Sequence, residues 1–168
     1  KSSLIAAAMQ NEGVLLCTDS NEKRLPRLAD YLMLQHLSIS TEEVFDWPEE
    51  APVEWHGRFD RILLDVPCSN TGVLRRRVDV RWRLRPEQIE ALSGIQEQIL
   101  RNALPCLKPG GHLLYSTCSL EPEENEQQVA AFQDSHPEIE LLDSRRSLPF
   151  QDGFDGSYAA LLRLRGGS

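Results

Sequence analysis

Two short segments of the chain place a cysteine just beyond an apolar run: Ile62-Leu63-Leu64-Asp65-Val66-Pro67-Cys68-Ser69 and Leu113-Leu114-Tyr115-Ser116-Thr117-Cys118-Ser119. Each run reads as a buried strand. A deprotonated thiol is a nucleophile and can carry covalent catalysis, and Asp65 sets a carboxyl beside the first of them. In open parallel sheets ligands bind past the carboxyl ends of the strands, and neighbouring strands lie about 4.8 Å apart. If these two strands are neighbours, both thiols and Asp65 meet in one crevice, although 50 residues separate the cysteines. A cysteine met singly is more often a small buried hydrophobe; Cys17, inside an apolar run, and Cys106, after a helix, are read that way. No Cys-x-x-Cys pair occurs, and no cysteine stands at ligand spacing from His36, His56, His112 or His136, so no metal site is expected.

The run Arg75-Arg76-Arg77-Val78-Asp79-Val80-Arg81-Trp82-Arg83-Leu84-Arg85 follows the first cysteine segment and holds six arginines in eleven residues. The whole chain is acidic, with 18 Lys and Arg against 26 Asp and Glu and a net charge of −8. Taken alone, that argues against a phosphate-rich partner. Screening limits the argument, because at a Debye length of about 8 Å a local cluster outweighs the average. Arg75, Arg76, Arg77 and Arg81 are candidates for holding phosphates, and Trp82 offers a surface on which a base can stack. A solvated charged face is the plainer reading of the same run.

The elements that must position these residues alternate between strand-like and helix-like patterns, which predicts an α/β domain with a mostly parallel sheet. Ser2 to Gln10 reads as a helix stopped by Gly13, and Val14 to Thr18 as a buried strand. Asp19 and Ser20 then open a helix to about Leu34, with Pro26 making an irregularity a turn inside it. A weaker strand lies between Leu37 and Val44, a loop over Trp47 to Gly57, and a strand over Arg61 to Asp65. Pro86 starts a helix with Ile89, Leu92, Ile99, Ala103 and Leu104 mostly on one face. Lys108-Pro109-Gly110-Gly111 reads as a turn before a strand over His112 to Ser116. Pro122 begins a helix with Glu123 and Glu124 in its first turn, where carboxylates suit the helix dipole. Ile139 to Leu142 and Ala159 to Leu164 read as closing strands, paired antiparallel across the Asp152 to Ser157 turn. With 168 residues, 40% apolar and no membrane-length apolar run, residues 1–168 are read as one domain. The chain opens on Lys1 and carries no secretory leader pattern, so reduced thiols in a cytoplasmic protein are expected.

Asp65-Val66-Pro67-Cys68 followed by Thr71-Gly72, and Tyr115-Ser116-Thr117-Cys118-Ser119 followed by Glu121-Pro122-Glu123-Glu124-Asn125, resemble the RNA cytosine-5 methyltransferases of the Sun/Nol/NSUN type. The bacterial 16S ribosomal RNA branch is most similar, and the resemblance runs from Lys1 to about Leu164. It implies a Rossmann-like class I domain that uses S-adenosylmethionine, with a closing antiparallel strand. It makes Cys118 the nucleophile that adds to carbon 6 of cytosine, and Cys68 the group that assists release of the product. Asp65 would face N3 and the exocyclic amine of the ring, where a carboxyl that donates a hydrogen bond holds a proton. The assignment between the two thiols comes from the resemblance, since DNA enzymes use the Pro-Cys thiol instead.

On the cofactor side the resemblance gives Asp19 to the ribose of S-adenosylmethionine and makes Asp46 the candidate for adenine, with Asp65 also near the cofactor. Asp19 as a helix N-cap is a compatible reading. Lys1 looks like the last residue of the Asp-x-Cys-Ala-Ala-Pro-Gly-Gly-Lys cofactor loop. The first, mid-sheet strand is then missing from this truncated domain, which alone is expected to bind cofactor weakly. Gly153-Phe154 resembles the family's Asp-Gly-Phe loop near the active site. RNA is the expected partner, ribosomal RNA foremost. Transfer RNA, or a silent RNA-binding module that keeps the fold, remain as other readings.

Overall fold

The computed structural model describes residues 1–166. The chain forms two compact units, one over Lys1–Trp47 and a second from Pro48 onward. In the first, α1 (Ser2–Ala8) leads to β1 (Leu15–Asp19), and α2 (Leu25–Leu34) leads to β2 (Ser40–Val44). Strands β1 and β2 are parallel, with Leu15 opposite Ser40 and Asp19 opposite Val44. The carboxyl end of this pair is tied down by Trp47, whose Nε1 donates to Thr18 Oγ1 at 2.8 Å.

Helix α2 starts later than its sequence suggests. The expected opening at Asp19 and Ser20 is replaced by turns, and Pro26 occupies the first turn of the helix rather than its interior. A proline there surrenders an N–H that has no helical partner in any case, so no irregularity results. Asp19 does not cap the helix. It accepts from the Asn21 N–H at 2.8 Å, closing an Asx turn directly after β1.

The second unit holds β3 (Phe59–Asp65), α3 (Val80–Arg83), α4 (Pro86–Ala103), β4 (Leu107–Thr117), α5 (Glu126–Ser135), β5 (Ile139–Ser147), α6 (Pro149–Asp152) and β6 (Ser157–Leu164). Its sheet has the order β3-β4-β6-β5. Strand β4 runs parallel to β3, and β6 runs antiparallel to both β4 and β5. On β4, Leu113, Tyr115 and Thr117 are buried at every second position, the period of a pleated strand with one face on the core. Leu113, Phe132 and Leu162 are almost wholly enclosed, and each such burial stabilises the fold by roughly 1.5–3 kcal/mol.

Two turns predicted from sequence take other forms. Lys108 to Gly111 lies inside β4 as a bulge: Phe59 pairs with Leu107, but Arg61 already pairs with His112. The helix expected from Pro122 divides into a 3-10 turn over Pro122–Glu124 and α5 from Glu126. The break falls at Asn125, at φ −118° and ψ −105°, because its side chain bonds inward to the strand. Thr117 Oγ1 donates to Asn125 Oδ1 at 2.6 Å, and Asn125 Nδ2 donates to the Ser119 carbonyl at 3.0 Å. Among the described residues, no helix is long and apolar enough to cross a membrane.

Candidate active site

The parallel register of β3 and β4 sets Asp65 opposite Ser116, so the two strands end side by side. Beyond them the chain turns into the Cys68 loop and the Cys118 loop, and the Val66 N–H still bonds the Ser116 carbonyl at 3.1 Å. The sulfurs of Cys68 and Cys118 lie 3.2 Å apart, both reduced. The Cys118 N–H donates to the Cys68 sulfur at 3.3 Å. Cys68 is buried, whereas Cys118 is partly open to solvent. Asp65 is exposed at the end of β3.

The loops are held together by direct contact of their backbones. The Gly72 N–H donates to the Cys118 carbonyl at 2.9 Å, and the Gly156 N–H donates to the Gly72 carbonyl at 2.8 Å. A Cβ on Gly72 would sit 2.3 Å from the Gly156 oxygen and 2.8 Å from the Cys118 oxygen, so only glycine fits this crossing. The turn carrying Gly153 and Phe154 is thereby drawn to the cysteine loops through Gly156, and Phe154 stays exposed.

Beneath the thiols lies a group that sequence reasoning assigned to another task. Glu124, read as a carboxylate at a helix dipole, is wholly buried. Its Oε1 accepts from the Ser69 N–H at 2.8 Å and from Gln96 Nε2 at 3.0 Å. Its Oε2 accepts from the Ser69 and Ser119 hydroxyls, each at 2.5 Å. Ser69 and Ser119 each follow a cysteine, so one carboxylate grips both loops next to their thiols. The signal available in sequence was that pair of serines, Cys68-Ser69 and Cys118-Ser119, facing a Glu in the following run. Gln96 also donates to the Pro67 carbonyl at 2.9 Å, and its Oε1 accepts from the Tyr115 hydroxyl at 3.0 Å.

The Cys68 thiol resists ionisation. The Cys68 thiol is pushed well above the ordinary range, first by its hydrogen bond with Cys118 and then by burial. It therefore keeps its proton while its neighbour is the sulfur open to solvent. Burial also pushes Cys106 up to about 11 and raises Cys17. Both behave as buried apolar side chains.

The arginine run lies on and around α3. Arg75 and Arg76 pair with Asp155 at 3.5 and 2.9 Å, and Arg83 pairs with Asp79 at 2.8 Å. Arg77 and Arg83 line a cavity of about 280 Å³ shared with Cys68, Ser69 and Asn70. Arg81 is exposed, and Trp82 is 81% exposed. In the first unit, Asp19 ends β1 and Asp46 follows β2, both at the carboxyl edge of that parallel pair. Asp46 is exposed, and the Asp19 carboxylate is also paired with Arg24 at 3.4 Å. Two carboxylates at that edge match the donors of a ribose diol and an adenine amine. Lys1 precedes α1 and is exposed. Among the described residues, no group of three or more His, Cys, Asp or Glu could hold a metal ion.

An α/β arrangement with parallel strands, a strand order that closes antiparallel, and ligand groups at the carboxyl ends defines the Rossmann-like methyltransferases. Solved structures agree. NSun6 from Pyrococcus horikoshii with SFG superposes at a TM-score of 0.85, with 25% identity, over 97% of this chain and 44% of that one. A methyltransferase homolog protein from Pyrococcus horikoshii superposes at 0.81, with 29% identity, over 95% of this chain and 56% of that one. The particular family follows from the sequence match: residues 1–163 match 16S rRNA methyltransferase RsmB/F, and the chain belongs to that family. Ribosomal RNA small subunit methyltransferase B of Yersinia enterocolitica is 41% identical over 160 residues, covering 90% of this chain and 37% of its own length. The protein of the same name from Vibrio cholerae is 40% identical over 158 residues, covering 90% of this chain and 36% of its own. The chain thus spans little more than a third of the curated relatives it matches.

Proposed function

We propose that residues 1–168 act as a single catalytic domain that methylates carbon 5 of a cytosine in RNA, 16S ribosomal RNA foremost, through a covalent Cys118–cytosine intermediate. The observation that carries the reading is the approach of two thiols to 3.2 Å at the carboxyl ends of neighbouring parallel strands. Carbon 5 of cytosine is too electron-poor to attack an electrophilic methyl group directly. Addition of the Cys118 thiolate to carbon 6 pushes an electron pair to carbon 5 and makes it nucleophilic. S-adenosylmethionine, when bound, supplies the methyl group. Solvent water then takes the carbon 5 proton, the electrons of that C–H bond restore the ring double bond, and the Cys118 sulfur leaves carbon 6 as a thiolate with the electron pair of their bond.

The protein's own groups divide this work. Cys68, which holds its proton tightly, faces the departing Cys118 sulfur and assists product release. Asp65 meets N3 and the amine of the ring and stabilises its activated form. Asp19 and Asp46 hold the ribose and adenine of the cofactor, and Asp65 and Lys1 also contact it. Arg75, Arg76, Arg77 and Arg81 hold phosphates, and Trp82 stacks on a base, once the target nucleotide leaves its helix. Such a protein works on RNA in the cytoplasm.

Covalent trapping tests the assignment. Cys68→Ala in the full chain with RNA and S-adenosylmethionine accumulates a protein–RNA adduct that survives denaturing electrophoresis; Cys118→Ala yields none. Equal trapping by both variants, or by neither, would overturn the roles given to the thiols.

A further inference from the structure

Asn70 stands between the two cysteine loops. Its backbone is left-handed, at φ 62°, a conformation that asparagine and glycine tolerate far better than other residues. Its side-chain Nδ2 donates to the Cys68 carbonyl at 2.7 Å. Its Oδ1 accepts from the Cys118 thiol at 3.1 Å. A backbone carbonyl only accepts, so the amide edge facing Cys68 must be the NH2 edge, and the oxygen is left facing Cys118. An amide oxygen only accepts as well. The proton of that contact belongs to Cys118, and the contact between the two sulfurs is then donated by Cys68.

We propose that Asn70 is a positioning residue for Cys118, whose amide oxygen holds the nucleophile as a neutral thiol in one orientation and so sets how readily the thiolate forms. This deepens the reading of Cys118 as nucleophile and rests on it. A hydrogen bond accepted from the neutral form favours that form over the ionised one. The anchor on the Cys68 carbonyl fixes the amide, and the left-handed backbone aims it back across the loop. The ionisable groups around this contact include Cys68 at 3.2 Å, Glu124 behind Ser69 and Ser119, Arg77 and Arg83 in the cavity wall shared with Cys68 and Asn70, Tyr115 beneath Cys68, and Asp65 at the end of β3. A change to Gly or Asp at Asn70 gives up the bond to the Cys68 carbonyl alike, so opposite changes in Cys118 ionisation report on the acceptor that faces its sulfur.

Two substitutions that both accept the left-handed backbone push the thiol in opposite directions. Asn70→Gly removes the acceptor. Cys118 in the full chain should then react about three- to tenfold faster with iodoacetamide near neutral pH, with the midpoint of its pH profile moved down. Asn70→Asp sets a carboxylate against the same sulfur, so alkylation should slow and the midpoint move up. Alkylation is read on the Cys118 peptide by mass spectrometry, which separates it from Cys17, Cys68 and Cys106. Shifts of the same sign in both variants, or no shift in either, overturn the proposal, because a purely structural role for the loop predicts no such opposition. Opposite shifts together with no RNA adduct in Cys68→Ala support the hold on the thiol and overturn the reading of Cys118 as nucleophile.

Discussion

Glu124 shows how much of a site can rest on a residue that meets no substrate. Four donors converge on one buried carboxylate, and three of them come from the serines that follow Cys68 and Cys118. Glu124→Ala leaves those donors buried without an acceptor, and unpaired buried polar groups cost more than a hydrogen bond contributes. A destabilisation of about 3 kcal/mol or more is expected, read from the urea midpoint. Glu124→Gln should cost far less. Its oxygen can stay on the Ser69 N–H and Gln96, and the serine hydroxyls can rotate to accept from its NH2. If the two variants are equally destabilised, the carboxylate's charge rather than its hydrogen-bonding pattern is what the loops require.

At the scale of elements, the cysteine segments were legible because strand, acid, proline and thiol occur in a short local order, and the strands that carry them are neighbours. The closing antiparallel strands were legible for the same reason, since alternation and a glycine-bearing turn are local features. The break between the 3-10 turn and α5 was not. Pro122-Glu123-Glu124 has the look of a helical first turn, and only the bonds from Asn125 to Thr117 and Ser119 stop the helix from running through. Asn70 was not legible either, because its contact depends on a left-handed turn facing a loop 48 residues away. The arginine run was visible, but its pairing was not: Asp155, from the loop before β6, engages both Arg75 and Arg76. On the proposed reading, RNA competes with that aspartate. Replacing Arg75, Arg76 and Arg77 by Gln should weaken RNA binding and flatten its dependence on salt by roughly two in logarithmic slope. An unchanged slope across a salt titration would make the run a solvated face of α3 and nothing more.

For the molecule as a whole, buried thiols and a buried phenol set a limit on alkaline stability. Cys106 is pushed from an ordinary 9.0 up to about 11 by burial, and Cys68 and Tyr115 are raised further, Tyr115 chiefly by burial. Each is neutral when protonated, so the folded state binds these protons more tightly than the unfolded state. Stability from such groups is complete below the unfolded value and is lost as pH climbs through the folded one, because the unfolded chain releases protons that the fold retains. For Cys106 that window runs from 9.0 to about 11. The urea midpoint, followed by circular dichroism, should therefore hold steady from neutral pH to about 9 and then fall, each such group adding up to about 1.4 kcal/mol per pH unit. Cys106→Ala lowers stability at every pH by leaving a small cavity, about 1 kcal/mol, yet its decline above pH 9.0 should be shallower. That difference in slope separates proton linkage from packing. A variant whose curve merely shifts downward, parallel to the parent, would show that Cys106 ionises at its ordinary pH inside the fold.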